Sequence, residues 1–238
     1  MKRKILRIVE IAGVFFAFAG LLVWCSIPNV GYLADENPET TAFIELRRHE
    51  AEDAGKPFKL EWKPVPMKKI SVYLRRAVIY AEDINFYEHE GVDWDAIEKA
   101  AGDDFSRGGS TITQQLAKNL YLSPSRSVVR KVRELLIAYR LEDELDKHRI
   151  LELYLNVVEW GDGVFGAEAA ARHWFHHSAL SLSPVEAARL AIALPNPRER
   201  APDVRDAELT KKCERILRWM RREGVISAAY YDEQVTGC

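Results

Sequence analysis

The sequence predicts a mainly α-helical domain that follows a single transmembrane helix near the amino terminus. Apolar residues recur at helical spacing from residue 70 onward, and no segment sustains the alternation of polar and apolar residues typical of a strand. Residues 5–27 form an apolar run, and about 20 apolar residues suffice to cross a bilayer. The chain has 238 residues, which is long enough for one domain with a sizeable core.

The amino-terminal run has two interpretations. A cleaved signal peptide has an apolar region of about 7–15 residues that ends in small residues. The run here is longer and ends near Trp24, so we expect an uncleaved anchor. Lys2, Arg3 and Lys4 precede it, which predicts a cytoplasmic amino terminus. We therefore assign residues 1–27 to a cytoplasmic stub and anchor, 28–66 to a connector or stalk, and 67–238 to the main domain.

Helices are predicted in order along the rest of the chain. The connector is rich in charge and proline, and residues 41–52 should form a short helix with Phe43, Ile44 and Leu46 facing inward. In the main domain we expect helices at residues 72–80, after a cap at Asp93 or Asp95, and at 127–145, 149–157, 167–175 and 185–193, with a last helix at 209–222. Glycines at 161, 163 and 166 break the chain, Pro184 suits a first helical turn, and Gly224 suits a helix end.

Composition narrows the class of protein further. The net charge of -2 gives no basic field, so we expect no nucleic-acid partner. The three cysteines, Cys25, Cys213 and Cys238, are too few for a disulfide framework. Because Cys25 ends the apolar run, one bridge at most could join Cys213 to Cys238, and the sequence leaves that bridge open.

Two polar segments differ from ordinary core and ordinary surface. Residues 82–91 read EDINFYEHEG, with four carboxylates and one histidine but no Lys or Arg. Residues 108–119 read GGSTITQQLAKN, a glycine turn followed by a predicted helix. At about 100° per residue, Thr111, Gln114, Gln115 and Lys118 fall within one polar arc of that helix. An acidic stretch before such a turn and a cationic helix face suits chemistry on a charged substrate.

Both segments resemble motifs of the peptidoglycan glycosyltransferases of family 51. The first family motif is Glu-Asp-x-x-Phe-x-x-His-x-Gly, and the second, Gly-Gly-Ser-Thr-Ile-Thr-Gln-Gln-x-x-Lys-Asn, is met in full. Three further stretches resemble the later motifs in the same order: residues 130–134 (RKVRE), 147–156 (KHRILELYLN) and 187–197 (AARLAIALPNP). The resemblance covers residues 63 to 202, and five motifs in the right order make it specific.

The resemblance implies a lysozyme-like helical body with a cleft and a smaller lobe near the membrane. It also implies polymerisation of lipid II, a disaccharide-pentapeptide on a polyprenyl pyrophosphate, and sensitivity to the phosphoglycolipid moenomycin. The expected location is the bacterial inner membrane, with a single pass and a periplasmic catalytic domain. Expected partners are lipid II, the lipid-linked glycan chain and the membrane, with cell-division or elongation proteins as candidates.

Two glutamates are the candidate catalytic residues. Glu82 follows an apolar helical run, so it should lie where a helix meets the cleft, and burial there would raise its pKa and suit it to accept a proton. The resemblance places the catalytic base at this position. Glu134 follows Arg130 by four residues and Lys131 by three, so both cations can reach it. It is either a surface ion pair or, as the motif implies, a carboxylate that holds the cations and the donor sugar.

A basic lining for the pyrophosphate is predicted from Lys99, Lys118, Arg126, Arg130 and Lys131. A pyrophosphate needs several cations, with Arg giving bidentate contacts and Lys a point charge. The turn at residues 108–110 would add amide donors. Ser110, Gln114 and Gln115 would donate neutral hydrogen bonds to phosphate or sugar. The alternative is an ordinary solvated face, to which we assign Arg133, Arg140 and Lys147.

A group of three histidines is the candidate metal site of this sequence. His173, His176 and His177 suggest zinc, but no third ligand stands at a recognisable spacing. No obligatory cofactor is expected, although a divalent cation such as Mg²⁺ or Mn²⁺ would suit a departing pyrophosphate. A lysozyme-like hydrolase would need no cationic pyrophosphate site. An inactive scaffold for division or elongation partners would be expected to have lost a motif residue, and none is lost.

Overall fold

A computed structural model describes residues 13–14, 18, 20–21, 23–102, 109–125, 127–203 and 206–238, without the side chains of residues 99–102. Most of the predicted anchor lies outside these ranges. Within them, no helix combines the length and the apolar character needed to cross a membrane.

The described chain is mainly helical, as the sequence predicts. The helices are α1 (Ala42–Asp53), α2 (Val72–Glu82), α3 (Trp94–Gly102), α4 (Ile112–Tyr121), α5 (Val128–Glu144), α6 (Lys147–Val157), α7 (Ala167–Phe175), α8 (Pro184–Ala193), α9 (Ala207–Arg222) and α10 (Ala228–Gln234). Short 3₁₀ turns lie at Gly31–Ala34, Met67–Lys69, Ala179–Ser181 and Val235–Gly237. The helix predicted inside the connector is confirmed as α1.

Side-chain caps explain where several helices begin. The Ser127 hydroxyl accepts from the Arg130 amide at 3.1 Å at the start of α5. Asp93, rather than Asp95, starts α3, because its Oδ1 accepts from the Ala96 amide at 2.7 Å. Pro184 occupies the first turn of α8, as predicted. These caps satisfy amide groups that the first helical turn would otherwise leave without partners.

Two helix groups build the core and bring the polar segments together. Helix α2 packs against α8 and α9, whereas α4 packs between α5 and α6. Among the largest fully buried side chains are Trp160, Tyr154, Phe86 and Phe165. Truncating a buried aromatic residue to Ala typically costs about 3–5 kcal/mol, so these rings are major contributors to stability. The two groups meet where α2 ends and α4 begins.

A small three-stranded sheet is a feature that the sequence did not predict. Its strands are β1 (Glu61–Trp62), β2 (Glu159–Gly161) and β3 (Val164–Phe165), in the order β1-β3-β2. The β1–β3 pair is parallel, and the β2–β3 pair is antiparallel. Strands of two or three residues are too short to show a period-two pattern, which explains the omission.

Gly166 makes the turn from β3 into α7. Its φ is +79°, and a Cβ there would lie 2.6 Å from the carbonyl oxygen of Asn156. Any other residue would therefore be both strained and in steric conflict with α6. The prediction of a glycine break before this helix is confirmed.

The connector packs against the helical body. Val30, Leu33 and Ile44 are fully buried, and the indole N–H of Trp62 donates to the Asn156 carbonyl at 2.7 Å. Helix α1 packs against α4, and Arg47 of α1 pairs with the buried Glu159 at 2.8 Å. The division between residues 66 and 67 remains a prediction from sequence.

The carboxyl-terminal region contains a helix that was not predicted and a disulfide bond. Helix α9 ends before Gly224, but it is not the last helix, because α10 follows. Ser227 caps α10 by accepting from the Tyr230 amide at 3.1 Å, a signal that the sequence contains. Cys213 and Cys238 form a disulfide, with a Cα–Cα distance of 5.7 Å. The bridge that the sequence left open therefore joins α9 to the end of the chain.

Candidate active site

Glu82 is the last residue of α2, at the point where the helix ends beside the start of α4. Its Oε2 accepts a hydrogen bond of 2.7 Å from the side-chain amide of Gln115. Burial raises the pKa of Glu82; the Gln115 hydrogen bond and the charge of Lys118 oppose this rise, and the charge of Asp83 adds to it. The residue as a whole is still partly exposed. It is therefore placed to take a proton from a molecule that binds beside it.

Asp83 joins the first polar segment to the second. Its Oδ2 accepts from the backbone amide of Ile112 at 2.9 Å, at the start of α4. Both of its oxygens lie 3.0 Å from Nε2 of His89. The Thr111 hydroxyl donates to the Gly91 carbonyl at 2.6 Å, and Gly91 has a φ of +83°. These contacts fix the position of Glu82 relative to α4.

Gln114 lies in a different environment from the one predicted. Thr111 and Gln114 form a capping box, in which the Gln114 amide oxygen accepts from the Thr111 amide at 3.1 Å. The Gln114 side chain is fully buried, whereas Gln115 is partly exposed. A residue at the third helical position can fold back over the cap, and this removes Gln114 from the polar face on which the helical arc had placed it.

The cations near Glu134 form a compact group. The buried Glu134 accepts hydrogen bonds from the guanidinium of Arg130 and from Nζ of Lys131. Lys131 Nζ also donates to the Ser110 hydroxyl at 3.2 Å. This is not an ordinary surface ion pair, because the carboxylate is only 4% exposed while the Lys131 side chain is 41% exposed. The cations can therefore bind an anion from solvent, while the buried Glu134 carboxylate fixes their positions.

Lys118 links the two carboxylates. Burial lowers the pKa of its ammonium group, the charges of Glu134 and Glu82 oppose this, and the charges of Arg130 and Lys131 add to it. Its Nζ lies 5.7 Å from the centre of the Phe43 ring of α1. The sequence predicted Phe43 to face inward but assigned it no part in the site. Helix α1 thus places an aromatic ring beside Lys118, a residue predicted to bind the pyrophosphate.

Tyr154 is a further polar residue of the site that the sequence analysis did not single out. It lies on α6, it is fully buried, and its hydroxyl donates to Oε1 of Gln115 at 3.0 Å. The fourth motif contains Tyr154, but nothing in the sequence shows that its hydroxyl reaches α4. Two predicted ligands cannot be placed: Arg126 and the side chain of Lys99 lie outside the described residues.

Metal ligation gains no support from the described side chains. Within the ranges given above, no three or more His, Cys, Asp or Glu residues group together in a way that could hold a metal ion. His173 and His177 face separate glutamates, Glu61 and Glu186, each at 3.1 Å. The divalent cation remains a prediction from sequence, and no catalytic step is assigned to it.

Fold and site together define a class of protein. A carboxylate with a raised pKa lies at a helix end of a helical body, next to a cluster of cations that a second carboxylate holds. Such an arrangement can support general-base chemistry on an anionic substrate.

Comparison with known proteins identifies the family. Residues 52–221 match the family described as Transglycosylase. A biosynthetic peptidoglycan transglycosylase of Herminiimonas arsenicoxydans is 50% identical over 197 residues, which cover 81% of this chain and 85% of that protein. A protein of the same name from Bordetella pertussis is 53% identical over 180 residues, covering 71% and 74%. The chain belongs to the transglycosylase family, which confirms the resemblance carried by the five motifs.

Proposed function

We propose that this protein polymerises lipid II into the glycan strands of the bacterial cell wall. Membership of the transglycosylase family makes it a glycosyltransferase, and its relatives are named biosynthetic peptidoglycan transglycosylases. The observation that carries the proposal is the placement of Glu82, a carboxylate of raised pKa that lies next to a cluster of cations. One group can accept a proton while the others stabilise a leaving pyrophosphate.

In the proposed reaction, Glu82 removes the proton from the 4-hydroxyl of the incoming lipid II. The oxygen attacks the anomeric carbon of the lipid-linked growing chain from the side opposite the leaving group. The new glycosidic bond forms as the bond to the pyrophosphate breaks, so the configuration at that carbon inverts. Polyprenyl diphosphate leaves with the electron pair, and Glu82 holds the proton until it passes to solvent.

The cations act on the leaving group. Lys118, Arg130 and Lys131 lie together around Glu134, and negative charge on the departing pyrophosphate would be stabilised by them as it develops. Ser110 and Gln115 present partly exposed hydrogen-bonding groups beside them. Arg126 and Lys99 remain predicted members of the same lining. Glu134 holds Arg130 and Lys131 in place, and we assign it no proton transfer.

The proposed location is the inner membrane, with the catalytic domain in the periplasm. The apolar run of residues 5–27 and the cations before it support a single-pass anchor. The Cys213–Cys238 disulfide also fits an oxidising compartment. Both substrates carry lipid tails, so an enzyme anchored in the same bilayer would meet them in the plane of the membrane.

The test is incubation of the purified full-length protein with labelled lipid II. We expect a ladder of glycan polymer, release of polyprenyl diphosphate, and inhibition by moenomycin. Lipid-free glycan strands serve as a second substrate, since a lysozyme-like hydrolase would shorten them. Cleavage of those strands without polymerisation of lipid II would contradict the proposal.

A further inference from the structure

A chain of two hydrogen bonds runs from the interior of the protein to Glu82. The Tyr154 hydroxyl on α6 donates to Oε1 of Gln115 on α4 at 3.0 Å. The other end of the same amide, Nε2 of Gln115, donates to Oε2 of Glu82 at 2.7 Å. The outer end of this chain is partly exposed, whereas the inner end, at Tyr154, is fully buried.

When Glu82 is ionised, the chemistry of the three groups favours one direction for these bonds. Burial raises the pKa of the Tyr154 phenol well above its usual value, and the charges of Glu82 and Asp83 add to this, so the hydroxyl keeps its proton. An ionised Glu82 can only accept a hydrogen bond. The Gln115 amide must therefore turn its NH₂ group toward Glu82 and its oxygen toward Tyr154. A flipped amide would turn its NH₂ group toward the Tyr154 oxygen, and the hydroxyl proton would then have no acceptor within the described part of the chain.

We propose that Tyr154 is a positioning residue, which favours the orientation of the Gln115 amide that offers its NH₂ group to the catalytic base. The proposal rests on the function proposed above, because it requires Glu82 to be the base. A flipped amide would bring its oxygen against the Glu82 carboxylate and would favour the protonated acid. Tyr154 thereby favours the ionised form of the base, although it does not touch the substrate.

The other charged groups around Glu82 cannot provide this control. Lys118 on α4 favours the ionised form, and Asp83 next to Glu82 disfavours it. Lys118 also interacts electrostatically with three residues of α5: Arg130, Lys131 and Glu134. Within the described part of the chain, none of these groups forms a hydrogen bond with the side-chain amide of Gln115, whereas Tyr154 does. The orientation of the amide therefore depends on a fully buried residue of the fourth motif.

The test is the pH dependence of lipid II polymerisation by Tyr154→Phe, a change that keeps the ring and removes the hydroxyl. A hydrogen bond to a charged group contributes about 1.5 kcal/mol, or about one pKa unit, so losing the donor to Glu82 should lower turnover roughly tenfold on the acidic limb. The acidic limb of the profile should move upward by about one pH unit, because the ionised base loses its donor. A residue that only filled space would lower Tm without moving this limb.

Two further variants make the result specific. Tyr121→Phe removes another tyrosine hydroxyl, which lies 3.5 Å from that of Tyr32, and its acidic limb should match the wild type. Gln115→Met removes the amide itself, so adding Tyr154→Phe to Gln115→Met should cause no further shift. A correctly folded Tyr154→Phe protein with an unmoved limb would overturn the inference, as would a full additional shift in the double variant.

The outcome also separates this inference from the proposed function. If Glu82→Gln polymerises lipid II at nearly the wild-type rate, Glu82 is not the base and the proposed function fails in its mechanism. Glu82→Gln could instead lose turnover while Tyr154→Phe has the same acidic limb as the wild type. Glu82 would then still be the base, and only the role assigned to Tyr154 would be wrong.

Discussion

The two glutamates of the site have opposite surroundings. Glu82 at the end of α2 faces a neutral amide donor at 2.7 Å, and burial raises its pKa. Glu134 on α5 lies between two cations, Arg130 and Lys131, each of which donates to one of its oxygens. Both carboxylates lie in family motifs, so sequence alone gives them similar weight. Their surroundings suit the first to take up a proton and the second to hold cations.

The largest effect is expected from Glu82→Gln, which keeps the shape of the side chain and removes the base. Loss of a general base typically costs about 10²–10⁴-fold in rate, so lipid II turnover should collapse while binding of lipid II and moenomycin survives. The matched control is Glu88→Gln, the same change at an exposed carboxylate of the same segment, which should keep wild-type turnover.

The same variant should also become more stable. A carboxylate whose folded pKa is raised binds its proton more tightly in the folded state than in the unfolded state. Its ionisation therefore opposes folding at pH values above the folded pKa, and this cost vanishes below the unfolded value. At neutral pH, Glu82→Gln should raise the free energy of unfolding, which denaturant titration can measure. A clear loss of stability would mean that Glu82 has a favourable charged partner.

Glu134→Gln should have the opposite effect on stability. It removes the charge that holds Arg130 and Lys131, and hydrogen bonds to charged groups contribute about 2 kcal/mol, so the free energy of unfolding should fall by that order. Both turnover and affinity for the lipid-linked donor should fall, the latter roughly tenfold, because the cations lose their fixed position.

Glu144→Gln is the control for this change on the same helix. Glu144 pairs with Arg140 at 3.4 Å, and both side chains are well exposed. An exposed ion pair of this kind contributes less than about 1 kcal/mol, so stability and donor affinity should both stay close to the wild type. Equal effects of Glu134→Gln and Glu144→Gln would show that Glu134 is an ordinary surface pair.

The smallest effect is expected from Phe43→Leu, which removes the aromatic ring beside Lys118. A partly buried cation–π contact contributes about 1 kcal/mol, so donor affinity should fall about fivefold with little change in turnover at saturation. Phe58→Leu is the control, since the Phe58 ring lies 6.0 Å from the guanidinium of Arg48, away from Lys118. Equal donor affinities of the two variants would show that the Phe43 ring does not contribute to donor binding.

Local sequence signals predicted much of the fold and less of the site. Ser127 and Pro184 marked helix starts that the structure confirms, because a cap depends only on neighbouring residues. The pairing of β1 with β3 joins residues about a hundred positions apart, and no local pattern reveals it. Gln114 was misplaced because helical periodicity was given priority over the capping box, although Thr111 followed by Gln114 is a visible signal of that box.

Long-range contacts account for what the sequence could not show in the site. The five motifs located Glu82, Lys118 and Glu134 by resemblance, and the structure brings these residues together. The hydroxyl of Tyr154 meets Gln115 only because α4 packs against α6. Phe43 meets Lys118 only because the connector folds back over α4. Neither contact follows from the spacing of residues along the chain.

The most direct test of the contrast between the two glutamates is the pH dependence of turnover with saturating lipid II. Wild type should lose activity at low pH with a slope of one proton, and the midpoint should lie above 4.5, the ordinary value for a glutamate. The residual turnover of Glu82→Gln should lack that limb, whereas Glu134→Gln should retain it. A wild-type midpoint at or below 4.5, or an unchanged limb in Glu82→Gln, would contradict the assignment of Glu82 as the base.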